Sequence, residues 1–409
     1  MNMSSHAAEF DRGLLSDDYL ANPYRYYALL REHDPVCWSE QLNAWILTRY
    51  QDVRAALTHP HLLSGKRVAS YADRLGSDMQ AELQPLFYQV GKWIGNMDPP
   101  DHKRLRRMVD IAFTPKMVET LRPGIVELTR ELVGKVAHTG RMDFVRDFAY
   151  PLPAIVIAQM MGVPPEARDR FMQWSHSLTA YSGTGQPKAD MARLAAKDAA
   201  ELTAFFSDLA NQRRAEPQDD LISKLVKMEM EGDRLTTHEL LSMCGFLIVA
   251  GHETTMALLS NGLLALLRNP EEGNRWQQRP DMGRLAVDEL LRYDSPIQHQ
   301  TRVAAEDLEL GGTRISQGQR VMPFLGAANR DPQQFPEPDR LDLGRSPNHH
   351  VAFGHGIHHC LGAPLARLEA QIAFPELFRL VPRMTLENPA PEYRRHTSNR
   401  NPVELPVVF

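Results

Sequence analysis

Residues 353–362 read Phe-Gly-His-Gly-Ile-His-His-Cys-Leu-Gly and lead directly into the helix-forming run Ala363-Pro-Leu-Ala-Arg-Leu-Glu369. Glycines at 354, 356 and 362 permit backbone angles and close approaches that a Cβ would block. A helix that opens just after Cys360 turns its first amides toward the sulfur and favours the thiolate. The pattern predicts a loop that presents one thiolate to a large planar cofactor.

Two plainer readings stand beside it. A lone cysteine in a soluble protein is usually a small buried hydrophobe, and Cys37 and Cys244, in apolar surroundings, fit that description. A zinc site is the sharper rival, because His349, His350, His355, His358 and His359 crowd the same stretch. Structural zinc sites pair cysteines at short spacing, and the three cysteines of this chain are widely separated.

Working outward, composition bounds the rest. The 409 residues, 43% hydrophobic and 24% charged, can bury a large core. Lys and Arg number 46 against 51 Asp and Glu, a net charge of −5 that argues against a nucleic-acid binder. Scattered cysteines make no disulfide framework, which points to a reducing cytoplasm. The first residues show neither a signal peptide nor an anchor helix, so a soluble protein without membrane anchor is expected. No repeat or low-complexity linker interrupts the chain, and residues 1–409 read as a single domain.

Short β-prone runs at 35–39 and 44–48 flank a polar turn and precede a helical pattern over 50–57. Apolar residues at three- and four-residue spacing then predict helices around 102–113, 118–137, 151–161, 192–213, 219–229, 236–268, 284–293 and 363–380. β-Branched residues and glycine turns return between 295 and 325 and again after 384. Thr236 and Glu239 form a capping-box pattern at the head of the longest helix, which can run to Arg268 before Asn269-Pro270 stops it. Its middle, Ala250-Gly-His-Glu-Thr-Thr255, sets an acid and two hydroxyls where hydrocarbon would penalise them, so the helix belongs in a protein core. There Thr254 can bond the carbonyl of residue 250 and loosen the helix, although a simple polar kink is the plain alternative.

The loop resembles the haem-binding loop of cytochrome P450 monooxygenases, Phe-Gly-x-Gly-x-His-x-Cys-x-Gly, at all six specified positions, including Phe353 and Gly354. The string 250–255 resembles that family's oxygen-activation motif, and Glu289-Leu-Leu-Arg292 resembles its Glu-x-x-Arg helix. The implied fold is mainly α with minor β, the triangular, helix-rich P450 domain with small sheets. Cys360 would be the axial iron ligand of haem b. Glu253 and Thr254 would manage the protons that dioxygen cleavage needs. Taken alone, Glu289 and Arg292 are an ordinary ion pair three residues apart on a helix. By resemblance they join Arg340, in Pro338-Asp339-Arg340, in a buried network bracing the haem loop, with Leu341 where the family often has an aromatic.

His102, Arg106, Arg302 and His358 match the family's propionate-binding positions. His102 and Arg106 lie one helical turn apart, a sound geometry for that pairing. Read without the family, the same stretch is a basic helix face, and Lys103, Arg104 and Arg107 could meet an acidic electron donor. By family position the pocket draws on segments 85–97 and 171–181 and on Leu247, Ala250, Ile297 and Gln298. These suit a medium-sized lipophilic molecule of secondary metabolism.

The resemblance thus implies a monooxygenase that hydroxylates, or epoxidises, such a substrate. Only 47 residues follow the loop and none forms a dinucleotide fingerprint, so electrons from NAD(P)H would arrive through a separate ferredoxin and ferredoxin reductase. A monomer is expected. The alternatives are a peroxide-driven peroxygenase, against which the intact Glu253-Thr254 pair speaks, and a non-catalytic haem protein.

Overall fold

The computed structural model describes residues 4–72, 76–183, 189–230 and 235–409. It is 62% helical with small sheets, the mainly-α architecture that the resemblance implies. The backbone groups into two compact units that interleave along the chain.

The first unit comprises 1–62, 122–152 and 254–409. Its five-stranded sheet starts from the hairpin Val36–Ser39 and Ala44–Leu47, whose turn holds Asn43 at φ 48°. Ala44–Leu47 pairs in parallel with Arg320–Pro323, which pairs antiparallel with Arg302–Ala304. The short strand Leu62–Leu63 completes the order at the edge. Trp45, Leu47, Tyr50, Val53, Leu57, Ile315, Val321, Leu325, Phe335 and Val351 close into one buried cluster. Each large apolar side chain so buried contributes about 1.5–3 kcal/mol.

That cluster carries the approach to the cysteine loop. The Tyr50 hydroxyl donates to the His349 carbonyl (2.6 Å), and the Val351 N–H donates to Asn329 Oδ1 (2.8 Å). Helix Ala363–Leu380, which follows the cysteine, packs along helix Arg122–Val136 and against helix Gly283–Tyr293.

The second unit comprises 63–121 and 153–253. Helix Ala189–Ala215 packs on Arg168–Gly183 and on Ser77–Gly91. Arg193 Nε meets Glu82 Oε1 at 2.6 Å, and Gln89 donates to Thr203 Oγ1 at 2.5 Å. The capping box forms as expected: the Thr236 N–H donates to Glu239 Oε2 (2.9 Å) and the Glu239 N–H to Thr236 Oγ1 (3.2 Å).

Helix Thr237–Arg268 runs unbroken across 250–255, so the loosening expected there does not interrupt it. Among the described residues it is the one helix apolar and long enough to cross a membrane, and 67% of its most apolar window is buried. Other predicted helices match within a few residues, with one split. The pattern over 118–137 becomes Pro115–Thr120 and Arg122–Val136, because Pro123 lacks the N–H that would continue the first helix. Helices Ser5–Gly13, Tyr24–His33, Ser77–Gly91 and Arg168–Gly183 are not among those that the spacing predicts.

Candidate functional site

In the first unit the loop around Cys360 is built on two left-handed glycines, Gly354 at φ 72° and Gly356 at φ 74°. A Cβ on Gly356 would lie 3.0 Å from Thr58 Cγ2 and 3.2 Å from the Leu57 carbonyl. The Cys360 N–H donates to the Phe353 carbonyl (2.9 Å), which closes the loop and leaves the cysteine half-buried. Helix Ala363–Leu380 then begins with Gly362 as its N-cap. The histidines of this stretch disperse: His355 pairs with Arg54 (2.9 Å) and His350 with Asp288 (3.2 Å). No group of three or more metal-ligating side chains converges among the described residues.

The buried network behind the loop differs from its sequence pattern in one member. Glu289 and Arg292 face each other with neither side chain exposed, Nε to Oε2 at 2.8 Å and Nη2 to Oε1 at 2.9 Å. Arg292 also donates to the carbonyls of Asn329 (2.9 Å) and Pro338 (2.8 Å). Arg340 offers Arg292 only its carbonyl (3.2 Å); its own guanidinium is exposed and bonds Glu337. The second arginine on Glu289 is Arg345, with Nε 3.2 Å from both oxygens. The turn from Asp342 to Arg345 folds Arg345 inward while Arg340 faces water.

In the second unit Glu253 is buried, and its Oε1, without a hydrogen-bond partner among the described residues, lies 3.6 Å from Nδ1 of the half-exposed His176. Next to it, Ser175 and the buried His252 share a 2.9 Å hydrogen bond between Oγ and Nδ1. Around the middle of the long helix the half-buried positions are Phe246, Val249, Ala250, Gly251 and Thr254, whereas Leu247 is buried at 6% exposure. Phe246, not Leu247, therefore shares the accessible stripe with Ala250. Of the segment 171–181, the side chain of Tyr181 lies outside the described residues.

The cations sit as follows. His102 is buried on helix Asp101–Ala112; burial first, then neighbouring Arg106, holds its pKa below the ordinary value. Arg106 donates to Asp110 (2.9 Å), and Arg104 is taken up by an ion pair with Glu239. In the first unit Arg302 is buried, bonded to the Thr301 carbonyl and to Gln300, both at 2.9 Å. His358 is half-buried in the turn Gly356–His358. Ile297 is half-buried and bridges Asn399. Gln298 is buried and donates to the Ser295 carbonyl (2.6 Å), so its amide NH2 group is committed within the fold.

Comparison with known proteins agrees with this loop. The family model of Cytochrome P450 matches residues 66–381. The chain belongs to the cytochrome P450 family. It is 40% identical to the vitamin D(3) 25-hydroxylase of Pseudonocardia autotrophica, covering 97% of this chain and 96% of that protein. It is also 40% identical to the mycinamicin IV hydroxylase/epoxidase of Micromonospora griseorubida, over 94% of each chain. Among solved structures, P450BioI in complex with acyl carrier protein ligated to hexadec-9Z-enoic acid superposes with a TM-score of 0.88 at 38% identity, covering 96% of this chain and all of that one. The chain is accordingly a P450 monooxygenase.

A P450 carries haem, and the first unit offers a donor set that fits it. Of the three cysteines only Cys360 is half-buried. Burial pushes the Cys37 thiol up to about 12 and the Cys244 thiol higher still, so neither supplies a thiolate. Arg302 of the same unit supplies a positive charge, and Arg302 and His358 supply N–H donors, of the kind haem carboxylates require.

Proposed function

We propose that this P450 hydroxylates a medium-sized lipophilic small molecule of secondary metabolism. The observation that carries the reading is Cys360, the one half-buried cysteine, held on a glycine loop at the head of a helix. Haem b bound there supplies reductive activation of dioxygen and transfer of one oxygen atom. Cys360 gives it an electron-rich thiolate ligand. His102, Arg106, Arg302 and His358 compensate the two haem carboxylates, while Phe353 and Gly354 shape the loop around the sulfur. Glu253 passes protons to the Thr254 hydroxyl, from which dioxygen cleavage draws them.

Phe246, Ala250 and Ile297 support an apolar substrate, as do relatives named for vitamin D(3), mycinamicin IV and a carrier-bound fatty acid. Electrons come from NAD(P)H through a separate ferredoxin reductase and ferredoxin. The enzyme works as a monomer in the cytoplasm.

The test is the spectrum of the dithionite-reduced protein under carbon monoxide. A strongly red-shifted Soret band, lost in Cys360→Ser, is the expected result, and lipophilic candidates are then screened by spin-state shift. A band at the position of histidine-ligated haem would overturn the reading. Turnover driven by hydrogen peroxide with no electron donor would move it to a peroxygenase.

A further inference from the structure

The crowd of histidines before Cys360 contains one with an internal task. His350 has a side chain only 4% exposed. Its Nδ1 accepts the Ala352 N–H (3.2 Å), which places the ring proton on Nε2, and Nε2 donates to Asp288 Oδ1 (3.2 Å). The same carboxylate oxygen accepts from Arg367 Nε at 2.7 Å. Burial pushes the Asp288 carboxyl up, but His350 and Arg367 pull it down further, and it stays below the usual carboxylate range. Asp288 is thus a fixed anion on helix Gly283–Tyr293, gripping a cation on the helix that follows the cysteine.

That cation has a defined place. The guanidinium carbon of Arg367 stands 4.5 Å from the centroid of the Phe353 ring, and the His350 ring lies 5.9 Å from the same centroid. Phe353 in turn accepts the Cys360 N–H on its carbonyl at 2.9 Å. Asp288, Arg367 and Phe353 therefore form an oriented charge pair whose positive end rests on the aromatic ring of the cysteine loop. With side chains 15% and 24% exposed, Asp288 and Arg367 are only partly screened by water. All these residues belong to the first unit.

We propose that Arg367, oriented by Asp288 and His350, is a positioning residue that acts through Phe353 to set how readily haem held by Cys360 takes up an electron. The inference rests on the haem-thiolate reading above. Reduction adds one electron from the donor to the ferric centre and breaks no bond. The added negative charge is stabilised by the cation on the ring and opposed by the carboxylate behind it, so the two partners must act with opposite sign.

The experiment is a spectroelectrochemical titration of the holoenzyme with mediator dyes, comparing wild type, R367Q, R367K and D288N. Each is checked by its reduced carbon monoxide spectrum. At the wild-type midpoint R367Q should show a ferrous-to-ferric ratio lower by roughly threefold to tenfold, D288N a ratio higher by a similar factor, and R367K one near wild type. Shifts in the same direction, or ratios within about twofold of wild type with the Soret band intact, overturn the proposal. Should R367Q fail to hold haem, D288N decides alone: an unchanged or lower ferrous share overturns it. A wild-type protein lacking the thiolate-type band would instead overturn the underlying reading.

Discussion

Arg292 and Glu289 grip each other through two parallel hydrogen bonds, 2.8 and 2.9 Å long, with no part of either side chain exposed to water. Removing one partner strands a buried charge, which costs about 3–5 kcal/mol. Arg292→Ala and Glu289→Ala should each lose that much stability and most of their haem, read by urea denaturation and by the haem-to-protein absorbance ratio. Arg292→Lys keeps the charge but not the fork, and should lie between.

Within the same network, Arg345 and Arg340 are expected to behave oppositely. Arg345, its side chain only 10% exposed, pairs with the buried Glu289 and donates to the Pro336 carbonyl (2.8 Å), whereas Arg340 bonds an exposed Glu337 on the surface. Arg345→Ala should cost about 2–4 kcal/mol and Arg340→Ala less than about 0.5 kcal/mol. The urea midpoints of the two variants decide it; equal losses would reinstate Arg340.

The network also shows where the sequence was readable. The capping box at Thr236 and Glu239 and the glycine loop before Cys360 are local patterns, with every partner within a few residues. Arg345 is not local. Its role depends on the turn from Asp342 to Arg345, and nothing in Pro338-Asp339-Arg340 signals which arginine faces inward. On the long helix an offset of one residue turns a side chain by about 100°, which is why Leu247 is buried and Phe246 half-buried. Gln298 matches a pocket position by resemblance to the family, but the Ser295 carbonyl accepts its amide N–H, a contact no motif reports.

Gly356 offers a test of the loop that separates two causes. At φ 74°, with Thr58 Cγ2 only 3.0 Å from the place of a Cβ, alanine meets both backbone strain and a clash. Gly356→Ala should cost about 1–3 kcal/mol and weaken haem retention. Adding Thr58→Ser removes the methyl but not the strain, so it should recover only part of the loss. Full recovery would assign the whole effect to sterics.

His299 makes stability depend on pH with a definite sign. The residue is buried and stacked on Phe324 with ring centroids 5.0 Å apart; burial, then the charges of His396 and Arg320, hold its pKa down to about 3. The unfolded chain protonates near 6.5, so between these values it binds one proton more than the folded chain. Stability is therefore fully present above about pH 6.5 and falls as the medium becomes more acid, by about 2 kcal/mol from pH 8 to pH 5. His299→Phe keeps the stack and should flatten that part of the slope in urea titrations at the two pH values; an unchanged slope would place the titration elsewhere.

Thr254 and Thr255 are adjacent hydroxyls with different surroundings: Thr254 is half-buried on the stripe it shares with Phe246 and Ala250, and Thr255 is buried at 3% exposure. In the proposed mechanism Thr254 hands on the protons, and Glu253, whose Oε1 lies 3.6 Å from the half-exposed His176, delivers them. Thr254→Ala should leave NADPH consumption within about threefold of wild type while product per NADPH drops at least tenfold, the remainder appearing as hydrogen peroxide. Glu253→Gln should slow consumption itself, because its amide cannot relay a proton. Thr255→Ala should keep its coupling. The measurement is NADPH, product and peroxide counted together with a surrogate ferredoxin and reductase. Full coupling in Thr254→Ala would show that this chain moves protons by another route.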